Sequence, residues 1–363
     1  MANTNNNKSL NVPILRFPGF TGEWKETTAA ETCSEFKSGK GLKAENILSE
    51  GLYPVYGGNG LRGYTSTFNH DGFFVLIGRQ GALCGNINIA EGKSYITEHA
   101  IAVQANTENV TGFFQYLLLN MNLGQYSDQS AQPGLAVNKL LKLRINLPSK
   151  EEQQKIATML SLLDARIATQ NKIIEDLKKL KSAISEKLFK SAIGEIVTLR
   201  EICDIIKGKQ INGEYLKDSG KYYVMNGGTE PSGYYENYNV EANTISISEG
   251  GNSCGYVQFN SSPFWSGGHC YTIQNIKDVV DKGYLYHYLK SNEGSIMKLR
   301  IGSGLPNIQK KDLGDYKVQI MTMDQQKSIS ACLSLLERKT EIEENLLFAL
   351  QYEKQYLLRQ MFI

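Results

Sequence analysis

The stretch Lys150-Glu-Glu-Gln-Gln-Lys-Ile-Ala-Thr-Met-Leu-Ser-Leu-Leu-Asp164 opens a run to Lys190 whose apolar positions alternate by four and three. Ile156, Leu160, Leu163, Ile167, Gln170, Ile174, Leu177, Lys181, Ile184 and Leu188 make one heptad seam, the spacing that keeps a stripe turned toward a partner helix. A near copy closes the chain from Asp324 to Ile363. Adding 173 to each number gives Ile329, Leu333, Leu336, Thr340, Glu343, Leu347, Leu350, Lys354, Leu357 and Met361. The polar interruptions also coincide, Gln170 with Glu343 and Lys181 with Lys354. Two matched seams in one chain predict two long helices that pair with each other. At 1.5 Å per residue each extends roughly 60 Å, well beyond the usual globular helix, so each is expected to act as a spacer. Ser149 is placed to cap the first, with Glu151 and Glu152 in its first turn, where the helix dipole favours acidic groups.

The residues before each helix repeat as well. A shift of 170 carries Cys33 to Cys203, Gly58 to Gly228, Gly63 to Gly233, Tyr64 to Tyr234, Gly81 to Gly251, Cys84 to Cys254, Gly85 to Gly255 and His99 to His269. The same shift sends Gly134 to Gly304 and Leu135 to Leu305. Two units of about 170 residues are domains rather than solenoid repeats, which run to about 50 residues at most. The expected limits are 1–12 for a disordered tail, 13–149 for the first domain, 150–190 for the first helix, 191–323 for the second domain and 324–363 for the second helix. Within the first domain, Leu52–Tyr56, Phe73–Ile77, Asn86–Ala90 and Ala100–Gln104 read as strands between glycine turns. A helix is expected at Gly112–Asn122, and a last strand at Leu140–Leu147.

A chain of 363 residues, 41% hydrophobic, can bury two or three cores. The sequence contains no apolar run of membrane-spanning length, and its polar start lacks a signal-peptide core, so a cytoplasmic protein without a membrane partner is expected. Six cysteines without a C-x-x-C pair predict neither a zinc site nor a disulfide framework. A formal charge of +2 is low for an autonomous nucleic-acid binder, so part of the positive charge would have to come from partners.

Catalytic motifs fail on inspection. Gly58-Asn-Gly-Leu-Arg-Gly63 matches the dinucleotide fingerprint, but Tyr64-Thr-Ser-Thr-Phe-Asn69 continues as turn and strand where a helix is required. Gly92-Lys-Ser94 lacks the glycine five positions earlier that a phosphate loop needs, having Ile87 there. The four histidines, His70, His99, His269 and His287, show no metal spacing, and the repeated pair reads as satisfied structural residues. The N-P-P-Y or D-P-P-Y tetrapeptide of amino-methyltransferases is absent.

What remains is two Gly- and Tyr-rich loop domains. Between the copies the glycines persist while the loop chemistry changes: Asn59 becomes Thr229, Leu61-Arg62 becomes Pro231-Ser232, and Arg79-Gln80 becomes Glu249-Gly250. Two domains reading different sequences through one frame would show that pattern, with Arg for guanine, amides for adenine and Glu for cytosine. Arg62, Arg79, Gln80, Asn226, Thr229 and Glu249 are therefore expected at base edges. Asn59, Tyr64, Lys139, Tyr234, Asn252 and Asn307 complete the expected DNA-contacting set.

The opening P-I-L-R-F-P-G-F-T-G-E-W, Pro13 to Trp24, and the element Leu147-Pro148 followed by Glu152-Gln-Gln-Lys-Ile156 resemble the specificity subunit of type I restriction-modification enzymes. The second copy departs from that pattern, with Thr322-Met-Asp324 in place of Pro-x-x-Glu. The resemblance covers nearly the whole chain and implies an α+β fold. Two duplicated mixed α/β target recognition domains would be joined by two long helices forming an antiparallel coiled coil with pseudo-two-fold symmetry. It further implies a non-catalytic chain that reads a bipartite double-stranded DNA target, one half per domain, with the helices as ruler. The implied partners are two DNA adenine methylation subunits, docked on outward positions such as Arg166, Lys172 and Lys178, and two ATP-dependent restriction subunits. S-adenosylmethionine, ATP and Mg would belong to those partners and not to this chain. A coiled-coil scaffold for proteins alone, or a self-contained DNA-modifying enzyme, are the rival readings.

Overall fold

The heptad seams fold as two uninterrupted helices, Lys150–Lys190 and Met323–Met361. The computed structural model describes residues 11–127, 134–190, 193–302 and 304–363, and every seam position of both helices is buried or half-buried. The Ser149 hydroxyl accepts from the Glu152 amide at 3.3 Å, as a cap should. At the second helix the cap is built differently. The Thr322 amide and hydroxyl both donate to Gln325 Oε1, at 3.2 and 3.0 Å, so this start needs neither the proline nor the glutamate.

The chain divides into two units, Met1–Asn171 with Leu346–Ile363, and Lys172–Asn345. Each combines one domain with a share of both helices. In the first, Ile156, Leu160, Leu358 and Met361 belong to one core, and Lys354 Nζ meets Asp164 at 2.5 Å. In the second, Phe189 packs with Ile329 and Leu333, while Lys178 meets Glu344 at 2.6 Å and Lys181 meets Glu337 at 2.9 Å. Numbers rise on one helix as they fall on the other, so the segments run antiparallel. The two ion pairs that use a seam lysine, Lys354–Asp164 and Lys181–Glu337, are copies of each other at the 173 offset, and a phenol joins each. Tyr116 donates to Asp164 at 2.9 Å and Tyr286 to Glu337 at 3.0 Å. Burial, reinforced by the adjacent carboxylate, holds both phenols protonated well above the usual range.

The first domain is built on an antiparallel sheet ordered Cys33–Ser38, Ala100–Ala105, Phe74–Gly78, Ile87–Ala90. Its central strand Phe74–Gly78 is buried throughout, as a strand covered on both faces must be. Val75 and Ile77 pack in the core shared with Phe113, Phe114 and Leu117 of the helix Thr111–Asn120. Phe74 and Leu76 point the other way, into a cluster with Ile96 and Ala102. A second sheet pairs Tyr53–Gly57 with Gly60–Thr65 across the two-residue turn Gly58-Asn59, where Gly60 takes φ +85°. The second domain repeats the first sheet with Asp204–Lys207, Cys270–Gln274, Thr244–Ser248 and Val257–Asn260 in the same order; Val75 opposes Val103 as Ile245 opposes Ile273, while a bulge between Cys33 and Glu35 has no copy in Asp204–Lys207.

Three expectations need correction. Residues 1–10 of the expected tail lie outside the described residues, but Asn11 is ordered: its amide donates to Trp24 O at 2.8 Å and Asn146 Oδ1 at 2.7 Å. The run Leu140–Leu147 is not one strand. Its start ends a short helix, Val137–Leu141, and only Arg144–Leu147 pairs, with Lys25–Thr28. The third correction concerns the repeat. The bridge Gln80–Gly134 recurs as Gly250–Asn307, so Gly134 corresponds to Asn307 and buried Leu135 to buried Ile308, whereas Leu305 is exposed. Tyr116 and Tyr286 still differ by 170, but Gly124 and Met297, which close equivalent loops, differ by 173. The three extra residues therefore enter between these points.

The opening segment and the E-Q-Q element explain each other. Arg16 grips the fully buried Glu152 carboxylate with two bonds of 2.7 Å, and Trp24 stacks edge-on against Phe113 and Phe362. Gln153, also buried, accepts from the Val110 amide at 3.0 Å and donates to Asn109 and Pro148 O. Its copy Gln326 does the same for Asp281, Val279 and Met321. These glutamines tie the start of each long helix to its domain. Replacing Arg16 by alanine strands a buried charge and should lower stability by about 3 kcal/mol, measurable by denaturant melts.

In the second unit His287 is buried with Nε2 at 2.9 Å from the Ser334 hydroxyl, where the first unit has Leu117. Burial pushes the imidazole down to about 4. The unfolded chain, with an ordinary histidine near 6.5, binds the proton first, so this contribution is complete above that pH and is lost as pH falls toward 4. Melting temperature should decline over that window, and His287→Leu should flatten the decline.

Candidate nucleic-acid interface

In the first domain the strand Phe74–Gly78 runs into the loop Arg79–Gly85, held by main-chain bonds. The Arg79 amide donates to His99 O at 2.9 Å, its carbonyl accepts from Leu135 N at 2.9 Å, and Gly85 N returns to Gly78 O at 2.8 Å. The Cys84 thiol donates to the same Arg79 carbonyl at 3.3 Å. Gly85 sits at φ +88°, and a Cβ there would run into the Gly124 amide nitrogen. The second domain repeats each device. The Glu249 amide donates to His269 O at 2.9 Å, Ile308 N and the Cys254 thiol donate to the Glu249 carbonyl at 2.8 and 2.9 Å, and Gly255 lies at φ +94° against Met297. Burial raises the thiols of Cys33, Cys203 and Cys254.

Each loop walls a cleft with the neighbouring hairpin. The first, about 470 Å³, is lined by Asn59, Leu61, Arg62, Gln80, Leu83 and His99. The second, about 670 Å³, is lined by Lys207, Asn226, Glu249, Asn252, His269 and Asn307. Among the expected residues, Asn59, Arg62 and Gln80 thus meet in one cleft and Asn226, Glu249, Asn252 and Asn307 in the other. Arg79 is half-buried at the loop's root, and Thr229 is exposed next to Gly228 of the second cleft. Tyr64 and Tyr234 lie outside both linings, on strands, where their main chains bridge Leu48 and Lys217. Lys139 is exposed on the short helix Val137–Leu141.

The repeated histidines correct the reading of them as structural. The side chains of His99 and His269 are 44% and 62% exposed and line the clefts, whereas His70 and His287 are buried. His99 Nδ1 stands 3.1 Å from Gln80 Oε1. Lys207 was also missed. The repeat gave no signal for it, because the equivalent place in the first domain, opposite Ile101 as Lys207 is opposite Tyr271, is held by Ser38. The floor of the second cleft is charged: Lys207 Nζ lies 2.5 Å from Glu249 Oε1, which also accepts from the Tyr271 hydroxyl at 3.3 Å. Burial, then the neighbouring carboxylate, pushes that phenol up to about 12, so it remains a donor. Among the described residues no three metal-binding side chains cluster, and no helix is long and apolar enough to cross a membrane.

Two stretches, 22–179 and 194–352, match the type I restriction modification DNA specificity domain. The chain belongs to this family. The specificity domain occurs twice, once around each cleft. The specificity subunit of the type I restriction enzyme EcoprrI of Escherichia coli is 40% identical over 174 residues, a match spanning 47% of this chain and 42% of that relative. The MjaVIII specificity subunit of Methanocaldococcus jannaschii is 25% identical over 312 residues, 74% of this chain and 73% of the relative. The fold matches the crystal structure of a type I restriction-modification S subunit from Mycoplasma genitalium, with a TM-score of 0.80, 23% identity, and coverage of 97% of this chain and 99% of that one. The α+β architecture of duplicated specificity domains and long helices is that of the family.

Gly85→Ala should displace the loop that carries Gln80, costing at least about 1–3 kcal/mol from the positive φ alone. A melting temperature equal to that of the parent chain would show that the loop is not braced as described.

Proposed function

We propose that each specificity domain reads one half of a bipartite double-stranded DNA target through its cleft, while the long helices fix the unread gap. The observation that carries this reading is one loop frame, built twice with the same glycines, cysteine brace and histidine, that presents different side chains: Asn59, Arg62 and Gln80 in one cleft, Asn226, Glu249, Asn252 and Asn307 in the other. Frame and reading chemistry are separable, as two different half-sites require. Arg62 suits guanine O6 and N7, and the amides suit adenine N6 and N7. Arg79 and Thr229 would join them at base edges, and Tyr64, Tyr234 and Lys139 would contact the flanks or the phosphate backbone.

On this reading the chain is non-catalytic. It scaffolds two methylation subunits, which bring S-adenosylmethionine, and two restriction subunits, which bring ATP and Mg. Arg166, Lys172 and Lys178 are exposed on the first helix and would offer docking positions; Lys178 already pairs with Glu344. Partner surfaces closing on the DNA would supply the positive charge that a net +2 does not. Family membership supports these assignments.

The test is to map methylated adenines in DNA from cells carrying this chain with its methylation subunit. A bipartite motif is expected, and inserting one heptad in both long helices should lengthen the gap and leave both half-sites unchanged. A contiguous motif, or a half-site altered by the insertion, would overturn the proposal. Arg62→Ala should weaken binding by about 1–3 kcal/mol and relax one position of one half-site in the same map.

A further inference from the structure

We propose that Glu249 selects one base pair of its half-site by accepting, on Oε2, a hydrogen bond from an exocyclic amino group, N4 of cytosine or N6 of adenine. This rests on the reading of the second cleft as a DNA interface. The Glu249 main chain is fixed at both ends, its amide on His269 O and its carbonyl holding Ile308 N and the Cys254 thiol. The side chain is pinned through one oxygen only. Oε1 holds Lys207 and Tyr271, whereas Oε2 is buried without a hydrogen-bond partner among the described residues. His269 Nδ1 stands 3.7 Å from Oε2, beyond hydrogen-bond distance.

The residue as a whole is 8% exposed and belongs to the cleft lining. A buried carboxylate oxygen without a donor is costly, and an incoming N–H removes that cost. An ionised carboxylate only accepts, so it rejects guanine O6 and N7 and thymine O4 and admits the two major-groove amino groups. Lys207 offsets the carboxylate charge, so the group enters the field of the phosphates as a pair with no net charge. His269, with its ring beside Oε2, lines the same cleft. That ring is largely exposed, and its residue is tied down through the backbone, His269 N donating to Asn226 Oδ1 at 3.1 Å. In the first domain the same position is Arg79, which can only donate. One scaffold position thus carries opposite hydrogen-bond polarity in the two copies.

The test uses the chain assembled with its methylation subunits and duplexes carrying the target found by methylation mapping. At each cytosine and adenine of both half-sites in turn, the base is replaced by its counterpart lacking the amino group, 2-pyrimidinone or purine. The parent complex should lose about 10- to 100-fold in affinity at one position of one half-site, and whether that position holds pyrimidinone or purine tells cytosine from adenine. In Glu249→Ala the same replacement should cost nothing further, while the other amino deletions act as before. If the parent and the alanine variant respond alike to every deletion, the proposal is overturned. Should the alanine variant fail to fold, Glu249→Gln serves. Its added donor should make one position of that half-site degenerate in the methylation map and leave the other half-site intact, and an unchanged map overturns the proposal. If the parent complex shows no sequence preference at all, what fails is the reading of the cleft as a DNA interface, which is a different result.

Discussion

The rest of the structure depends on a lysine that a hydrophobic seam should not contain. Lys354 and Lys181 each interrupt the heptad pattern, and each holds a carboxylate of the opposite helix segment in its own unit, Asp164 or Glu337. The same carboxylate takes a hydrogen bond from the domain, through Tyr116 or Tyr286. Three elements are thereby locked at one point: both long helices and the helix that covers the central sheet. Apolar seam residues could slide by a heptad at modest cost, but a half-buried ion pair with a phenol on it has one register only. Gln153 and Gln326 add a second tie about three turns from Asp164 and Glu337 along the same helices. Each domain is therefore oriented on the helices by polar groups, with apolar packing supplying the bulk of the stability.

Much of this was legible in the sequence because the chain states it twice. The seam has a period that only a paired helix satisfies, and the first helix begins and ends where that period does. The hairpin at Gly58-Asn59 was legible because a dinucleotide loop would need a helix where Tyr64-Thr65 has strand character. Other features were hidden for physical reasons. Leu140–Leu147 reads as one apolar run, yet it crosses from a helix to a strand, since Leu140, Ile145 and Leu147 reach the same core from different backbone geometries. The shift of the repeat was misplaced because Gly134 and Gly304 agree by coincidence in type. Only the bridge to Asn307 reveals the true partner.

The histidines teach the opposite lesson. Repetition in register reads as a sign of packing, but in a duplicated binding domain a repeated residue equally marks a shared surface. The distinction needs burial, which periodicity does not supply for an isolated loop residue. Lys207 was obscured for a related reason: a lysine at the end of a strand carries no pattern of its own, its place in the first domain is held by Ser38, and only the fold brings it to the carboxylate of Glu249.

The thiols of Cys84 and Cys254 have a bearing on how such a chain changes over time. Each caps the carbonyl of the residue at the loop root, whose amide and carbonyl also hold their neighbours, so the main chain of that residue is fastened without help from its side chain. Nothing in that fastening depends on whether its side chain is arginine or glutamate, and the two copies in this molecule carry one of each. A single codon change at such a position alters what the loop displays without asking the loop backbone to readjust, so new preferences are open to point mutation.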